Sequence, residues 1–387
     1  MEKVLSAIIL TVTNILRQIF VISGVFMKLR FLTITFLMIS GIANAGEWSY
    51  NTEGQIKSAF GYADVKKEDK YRGNINAEIN SYIAYDFNDE YAVSVHFDLM
   101  SGIDRDLQNY NQGHWGEELY GIFNSPFGQI ITGQTFNVGA QFFDGAPMIG
   151  ILSNNSDVVN FVSNPNWKRT SKQTKFATLN TTYINTDGVA PKISYISPEL
   201  YGSGFGLSYI PKIYNRRGLI NNHASYKDDD GYVGAFYHSQ DIGGLNINTS
   251  ISFAKFSGDD KEFSASALLS YGNWSLGAGW RKSYIEGKEK TSLSDFRLAE
   301  FFDGYREGYA WDLGLGYKFG PYKTGISYFQ SKAENSDNQD QIVTFSNRYQ
   351  INNFFDIYFA TAYVNFEDEN ANTTEGMAVV GGVGFNF

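Results

Sequence analysis

The chain has 387 residues, 16% aromatic side chains, 39 glycines, 7 prolines, no cysteine and a formal charge of −10. That length admits one large domain or two to three ordinary ones, and the missing cysteine excludes disulfides and thiolate metal sites. The acidic balance offers no basic stripe for nucleic acid. The histidines His96, His114, His223 and His238 are scattered singly, so neither a metal centre nor a cofactor is expected.

The first readable element is a targeting segment. Residues 27–45, "MKLRFLTITFLMISGIANA", place Lys28 and Arg30 before an apolar core and end on Ala43-Asn44-Ala45. This is the three-part layout of a secretory signal peptide, with cleavage expected between Ala45 and Gly46. The apolar core is too short to span a bilayer as a helix. Residues 1–26 are apolar but interrupted by Asn14, Arg17 and Gln18, and are read as an over-extended start that is absent from the mature protein. Removing 1–45 takes away Lys3, Arg17, Lys28 and Arg30 against Glu2, so the exported chain, 46–387, carries −13.

From Gly46 onward, period-two alternation recurs without a competing helical period. In "WSYNTEGQIKSAFGY", Trp48, Tyr50, Ile56 and Phe60 oppose Ser49, Asn51, Glu53, Gln55 and Lys57. In "NINAEINSYIAYDF", Ile75, Ala77, Ile79, Ile83 and Tyr85 oppose Asn76, Glu78, Asn80 and Tyr82. Continued in this way, sixteen strands are expected at 48–63, 74–87, 90–101, 115–124, 128–135, 190–198, 203–211, 231–239, 244–257, 261–271, 274–284, 308–318, 322–332, 340–351, 354–366 and 375–387. The stretch 175–186 is a possible extension of the sixth. The last strand, "MAVVGGVGFNF", puts Met377, Val379, Val383 and Phe385 on one face and closes on Phe387.

The connections alternate in length. Tight turns are expected at 88–89, 125–127, 199–202, 240–243, 272–273, 319–321 and 352–353, and longer polar segments fall between them, the longest at 136–189. A soluble sandwich has no reason to sort its loops in this way. A barrel crossing a membrane does, because its two rims face different compartments. Strand after strand also carries Glu, Asp, Lys, Asn and Gln on one face, more than a packed core could satisfy. An apolar face toward lipid and a polar face toward a watery lumen solvate both sets, and closure pairs every backbone amide. The mean hydropathy of −0.27 is no obstacle, since only half of each strand meets lipid. The fold class expected is all-β: a transmembrane antiparallel barrel of sixteen strands. A secreted soluble sandwich or solenoid is the alternative.

Three stretches carry a family resemblance. "APKISYISPELYGSGFGLSYIP" at 190–211, "EELYGIFNSPFGQIITGQTF" at 117–136 and the terminal "VGFNF" resemble strands and hairpins of the Gram-negative general porins. The resemblance covers 46–387. It implies an outer-membrane channel for passive diffusion of small hydrophilic solutes and ions, assembled as a homotrimer in contact with outer-membrane lipid and lipopolysaccharide. It further implies that 136–189 folds inward to constrict the pore, and that Phe385 and Phe387 close the barrel and are read by the outer-membrane assembly machinery. One departure is Gln134 after Gly133, where family members often carry a pore-facing arginine.

A sixteen-stranded barrel leaves an aqueous channel, and a loop as long as 136–189 is usually functional. Its residues Phe142, Phe143, Met148, Ile149, Ile151 and Leu152 call for burial, which packing on the inner wall would supply; a surface loop burying its own side chains is the alternative. Charges on the lumen parity are Glu53, Lys57, Glu78, Asp86, Asp98, Lys192, Arg281, Asp312, Lys318 and Arg348, joined by Asp144 and Asp157 from the loop and Lys168, Arg169, Lys172 and Lys175 on its return. Asp144, Asp157, Lys57, Glu53, Glu78, Lys192, Arg281 and Arg348 are the candidates for the constriction, Asp144 first among them. The acidic balance suggests mild cation preference. No catalytic motif occurs, and His96 and His238 have no evident serine partner in the sequence, so no enzyme is expected. A substrate-selective channel and a surface adhesin on the same barrel are the alternative functions.

Overall fold

The computed structural model describes residues 46–65, 71–104, 118–152, 179, 181–214, 226–227, 230–256, 260–284, 307–334, 337, 339–367 and 373–387. The signal segment, Ala45, Asp157, and Lys168 to Lys175 lie outside them. In chain order the strands are β1 (Glu47–Val65), β2 (Tyr71–Asp86), β3 (Ala92–Asp104), β4 (Glu118–Ser125), β5 (Gly128–Gln134), β6 (Pro191–Ile196), β7 (Ser203–Ile210), β8 (Ile213–Tyr214) and β9 (Tyr226–Lys227). They continue as β10 (Gly231–Ile242), β11 (Leu245–Phe256), β12 (Asp260–Tyr271), β13 (Trp274–Tyr284), β14 (Gly308–Phe319), β15 (Tyr322–Ala333), β16 (Gln339–Gln350), β17 (Phe355–Glu367) and β18 (Thr373–Asn386). One short helix, α1 (Val138–Gln141), follows β5.

Sixteen of these strands form one closed antiparallel barrel, each paired with its neighbours in sequence and β18 returning to β1. The expected strands all appear, with ends displaced by a few residues. Two details differ. The 212–230 connection contains the small ribbon β8–β9, which pairs only with itself. The described residues 181–186 form no strand, so β6 begins only at Pro191.

The tight turns follow local chemistry. The Asn88 Oδ1 accepts the N–H groups of Glu90 and Tyr91 at 2.9 and 3.0 Å, and Asn352 does the same for Phe354 and Phe355 at 2.8 and 2.9 Å. Gly272 and Gly320 turn with φ of 57° and 55°, in the left-handed region that suits glycine.

Side-chain parity divides the barrel wall as the pleat requires. Outward positions are oily and exposed: Ile75, Ile79 and Ile83 on β2, Ile251 and Phe253 on β11, Ile357 and Phe359 on β17. At the rim of the tight turns they become a girdle of rings. Trp274 lies 4.4 Å from Tyr317, Phe319 4.9 Å from Tyr322, Tyr322 4.5 Å from Tyr349, and Phe355 5.1 Å from Phe385. Aromatic girdles of this kind flank the lipid band of membrane barrels. The chain end belongs to the same girdle. Phe387 stacks on Phe385 at 5.8 Å, and its N–H and C=O both bond to the backbone of Gly54 on β1. A Cβ at Gly54 would run into the Phe387 ring, so glycine there lets the terminal ring lie flat on the seam.

The inner face is less uniformly polar than parity alone implies. On β14–β18 it holds Ala310, Ile342, Ala360, Ala362, Val364, Phe366, Ala378 and Val380, gathered with Leu152 and Leu179 into a buried cluster. A second cluster joins Val138 and Ile184 to Ile210, Val233, Ala254 and Phe256. In both clusters, residues of the long β5–β6 connection pack on inward side chains. The described parts of that connection therefore lie inside the barrel.

Candidate channel lining and constriction

The β5–β6 connection is bound to the inner wall by a series of hydrogen bonds. Asn137 caps α1 through the Ala140 N–H at 3.0 Å, and the Val138 N–H donates to Ser208 Oγ of β7 at 3.0 Å. Further on, the Asp144 N–H donates to Ser266 of β12 at 3.1 Å and the Ala146 N–H to Asp312 Oδ1 of β14 at 2.8 Å. Ser346 of β16 then donates to the Leu152 carbonyl at 2.8 Å, and the Leu179 N–H donates to Ser331 of β15 at 2.9 Å. Room for this path comes from glycines on the inward parity. A Cβ on Gly277 would strike the Gly145 carbonyl, one on Gly279 the Phe143 ring, and one on Gly314 the Ala146 side chain. The apolar loop residues divide accordingly: Leu152 is 1% exposed and Ile149 9%, whereas Met148, expected to be buried, is 77% exposed.

Two buried ion pairs fasten the returning segment. Arg281, 0% exposed, pairs with Glu262 at 2.8 Å and donates to Thr181 and Thr186 Oγ1 at 2.7 and 3.0 Å. Lys192, 3% exposed, pairs with Asp187 at 3.0 Å and donates to the Thr135 and Gly188 carbonyls. Asp187 also accepts from Asn137 at 2.6 Å, which links the two ends of the loop. Asp312 accepts from Thr182 as well as from Ala146. Arg281 and Lys192 were expected among the constriction charges. Their actual position is behind the loop, where bases partner acids removed from water, so they hold the loop and do not face the lumen.

The described loop residues pack on the inner wall from β7 to β18 and share a buried cluster with Ala59 and Ala63 of β1; otherwise β1–β4 present polar side chains inward. The lateral register lines up Glu53, Asn80, Asp98 and Glu118 across these four strands, all on the inward parity. Glu78 sits beside that row, accepting from Gln55 at 2.6 Å and from Asn80 at 3.1 Å, and Thr135 donates to Glu118 at 2.6 Å. The next row is Asn51, Tyr82, His96 and Tyr120. There the imidazole is stacked between two phenol rings, 5.4 Å from Tyr82 and 4.9 Å from Tyr120. Lys57 is half-buried on β1, and Gln134 is paired with Leu119 at the end of β5. Asp144 stands on the loop, open to water, yet surrounding protein partly desolvates its carboxylate and raises its pKa, against a lowering hydrogen bond from Asn248. Arg348 lies toward the tight-turn rim, paired with Asp356 at 2.7 Å.

The sequence reading missed Glu118, Glu262, Lys323 and Asp356. Glu262 shares its parity with Ser264 and Ser266, a polar row that signals an inward face. Both described histidines do have serine partners, contrary to expectation: Ser94 Oγ lies 2.9 Å from His96 Nε2, and Ser203 Oγ 2.8 Å from His238 Nδ1. Among the described residues neither imidazole has a carboxylate on its other nitrogen; His238 Nε2 meets only Gln240, at 3.3 Å. The orienting acid of a hydrolytic triad is missing from both.

The family model for Gram-negative porins matches residues 32–369. The chain belongs to the Gram-negative porin family. This porin superposes on OmpF of Salmonella typhi, solved with daunomycin, with a TM-score of 0.59 at 14% identity, covering 87% of this chain and 97% of that one. The anion-selective porin of Comamonas acidovorans gives 0.56 at 14% identity, with coverage of 88% and 100%. OmpT of Vibrio cholerae, in its trimer form, gives 0.54 at 11%, covering 89% and 100%. No curated protein matches the sequence. The porin is an integral outer-membrane barrel, a channel for passive diffusion of solutes and not an enzyme.

Proposed function

We propose that this porin is a cation-preferring general diffusion channel, narrowed between the β5–β6 loop and the polar inner wall of β1–β4. The observation that supports it is the wall row Glu53, Asp98 and Glu118, with Glu78 beside it. By its resemblance to general porins, bases on this wall would face acids on the loop. Here the wall is acidic, Gln134 stands where an arginine is common, and the loop contributes Asp144. Rings of acidic side chains in a narrow aqueous passage attract cations and repel anions at close range.

Reversal potentials across a planar bilayer in a potassium chloride gradient test the reading. Cation selectivity is expected, and a combined Glu53→Gln, Asp98→Asn and Glu118→Gln variant should lose most of it. Anion selectivity of the unmodified porin would overturn the proposal. Liposome swelling with graded neutral sugars should show entry falling with size alone. A single favoured sugar would point to a substrate-selective channel, and no entry at all to a surface adhesin.

The same reading includes a homotrimer. Strands β4–β7 have 8, 7, 6 and 8 residues, while the other barrel strands have 11 or more. Six residues rise about 20 Å, or roughly 14 Å when tilted near 45°, less than the ~25 Å apolar band of such barrels. A neighbouring copy against this low arc would shield it from mismatch with lipid.

A further inference from the structure

We propose that the tight-turn mouth of this porin carries an anion site, built from Lys318, Lys323 and Arg348, that takes multivalent phosphate-type oxyanions. Lys318 is directly opposite Lys323 across β14–β15, and Lys323 is directly opposite Arg348 across β15–β16. All three lie on the inward parity of their strands. Side chains so opposed start about 5 Å apart, so three positive charges share an arc of about 10 Å. Like charges in that relation repel, and the arrangement costs stability unless a counter-charge sits among them.

The counter-charge within the protein is small. Asp356 is the acid at this arc, and its Oδ2 already accepts from Arg348 at 2.7 Å, Asn386 at 2.9 Å and Tyr358 at 3.2 Å. Neither lysine's ammonium group has a hydrogen-bond or ion-pair partner among the described residues. Arg348 Nε is buried with no acceptor, a donor of the guanidinium fork left unused. On the far side of Asp356 the register runs through Gly384, which has no side chain, to Lys57. Four cations therefore share the arc from β14 through β18 to β1 with one carboxylate, whose Oδ1 has no hydrogen-bond partner.

An arginine fork pairs naturally with two oxygens of one phosphate, and lysines supply point charges to the remainder. Its place on the inner face excludes a lipid headgroup as the occupant; the ligand is a free solute. General attraction by the whole chain is no explanation, because the net charge is negative.

Calorimetric titration of inorganic pyrophosphate into the folded porin, in neutral detergent at low salt, tests this without reference to conductance. The unmodified porin is expected to show saturable binding. Lys318→Gln with Lys323→Gln should weaken it by about tenfold or more, and Lys323→Gln alone by a smaller factor. Lys261→Gln, exposed on β12, should leave it unchanged. Both lumen substitutions relieve repulsion, so folded yield is expected to hold, checked by heat-modifiable migration on gels. No saturable binding by the unmodified porin, equal affinity in the lysine variants, or the same loss in Lys261→Gln would each overturn the site. A cation-selectivity result of either sign leaves this outcome independent.

Discussion

A charged residue on the inward parity of this barrel meets one of two fates, and Arg281 and Glu53 illustrate them. Glu53 stands in open lumen, where water solvates it. Arg281 is enclosed beneath the loop, where Glu262, Thr181 and Thr186 replace that water. Removing one partner of a buried pair leaves the other charge in a poor medium, typically at a cost of 3–5 kcal/mol. Arg281→Met should therefore lower the unfolding free energy of the folded porin in detergent by an amount of that order, read as a lower denaturant midpoint, with the barrel still able to form. An unchanged midpoint would count against the anchoring role. The burial of Arg281 could not be read from the strand "WSLGAGWRKSY", because parity gives a face and not what covers it. Asp144 behaves differently. Desolvation raises the pKa of its carboxylate, so it takes up a proton earlier on acidification than an ordinary aspartate. Its share of any cation preference should accordingly fade as pH drops, beginning above the normal aspartate range, and reversal potentials recorded against pH read this out.

Among the elements, β18 shows how much a single strand has to do. Its outward set, Met377, Val379, Val383 and Phe385, meets lipid, while Ala378 and Val380 pack under the loop and the smaller glycines admit neighbours. It pairs with β17 on one side and β1 on the other, so it alone converts an open sheet with two bare edges into a closed one. Lipid tolerates no unpaired edge. Deletion of Phe387 removes two backbone bonds to Gly54 and one ring of the girdle. It should reduce the yield of heat-resistant barrel in the outer membrane; normal yield would argue against that role. Strand positions were legible from period two and from turn residues such as Asn88 and Asn352. The path of the loop had a visible but unread signal, the alternating inward glycines of "SLGAGW" and "LGLGY". The β8–β9 ribbon had none, since two residues per strand make no pattern.

For the molecule as a whole, the decisive asymmetry is that the described loop residues lie against β7–β18 and one end of β1, while the rest of the β1–β4 inner face is polar. The pore is then bounded by two chemically unlike surfaces, a packed loop and an acidic, tyrosine-rich wall. The shortest strands, β5 and β6, fall beside that acidic wall and thin the barrel there. If copies associate along this arc, mass photometry of the porin in detergent should give about three chain masses plus the micelle. A species of one chain mass that persists at high protein concentration would reject the trimer.

By itself the sequence determined the sixteen strands, their alternate short and long connections, and which side chains share a face. These follow from interactions between residues near in sequence: the pleat sets parity, and turn residues set reversals. Only the tertiary structure decided which inward charges stay wet and which are enclosed. That depends on where a loop from 135–190 comes to rest against strands more than a hundred residues away, as in the contact of Ala146 with Asp312. Burial of a charge is a property of what covers it, and the covering chain is remote in sequence.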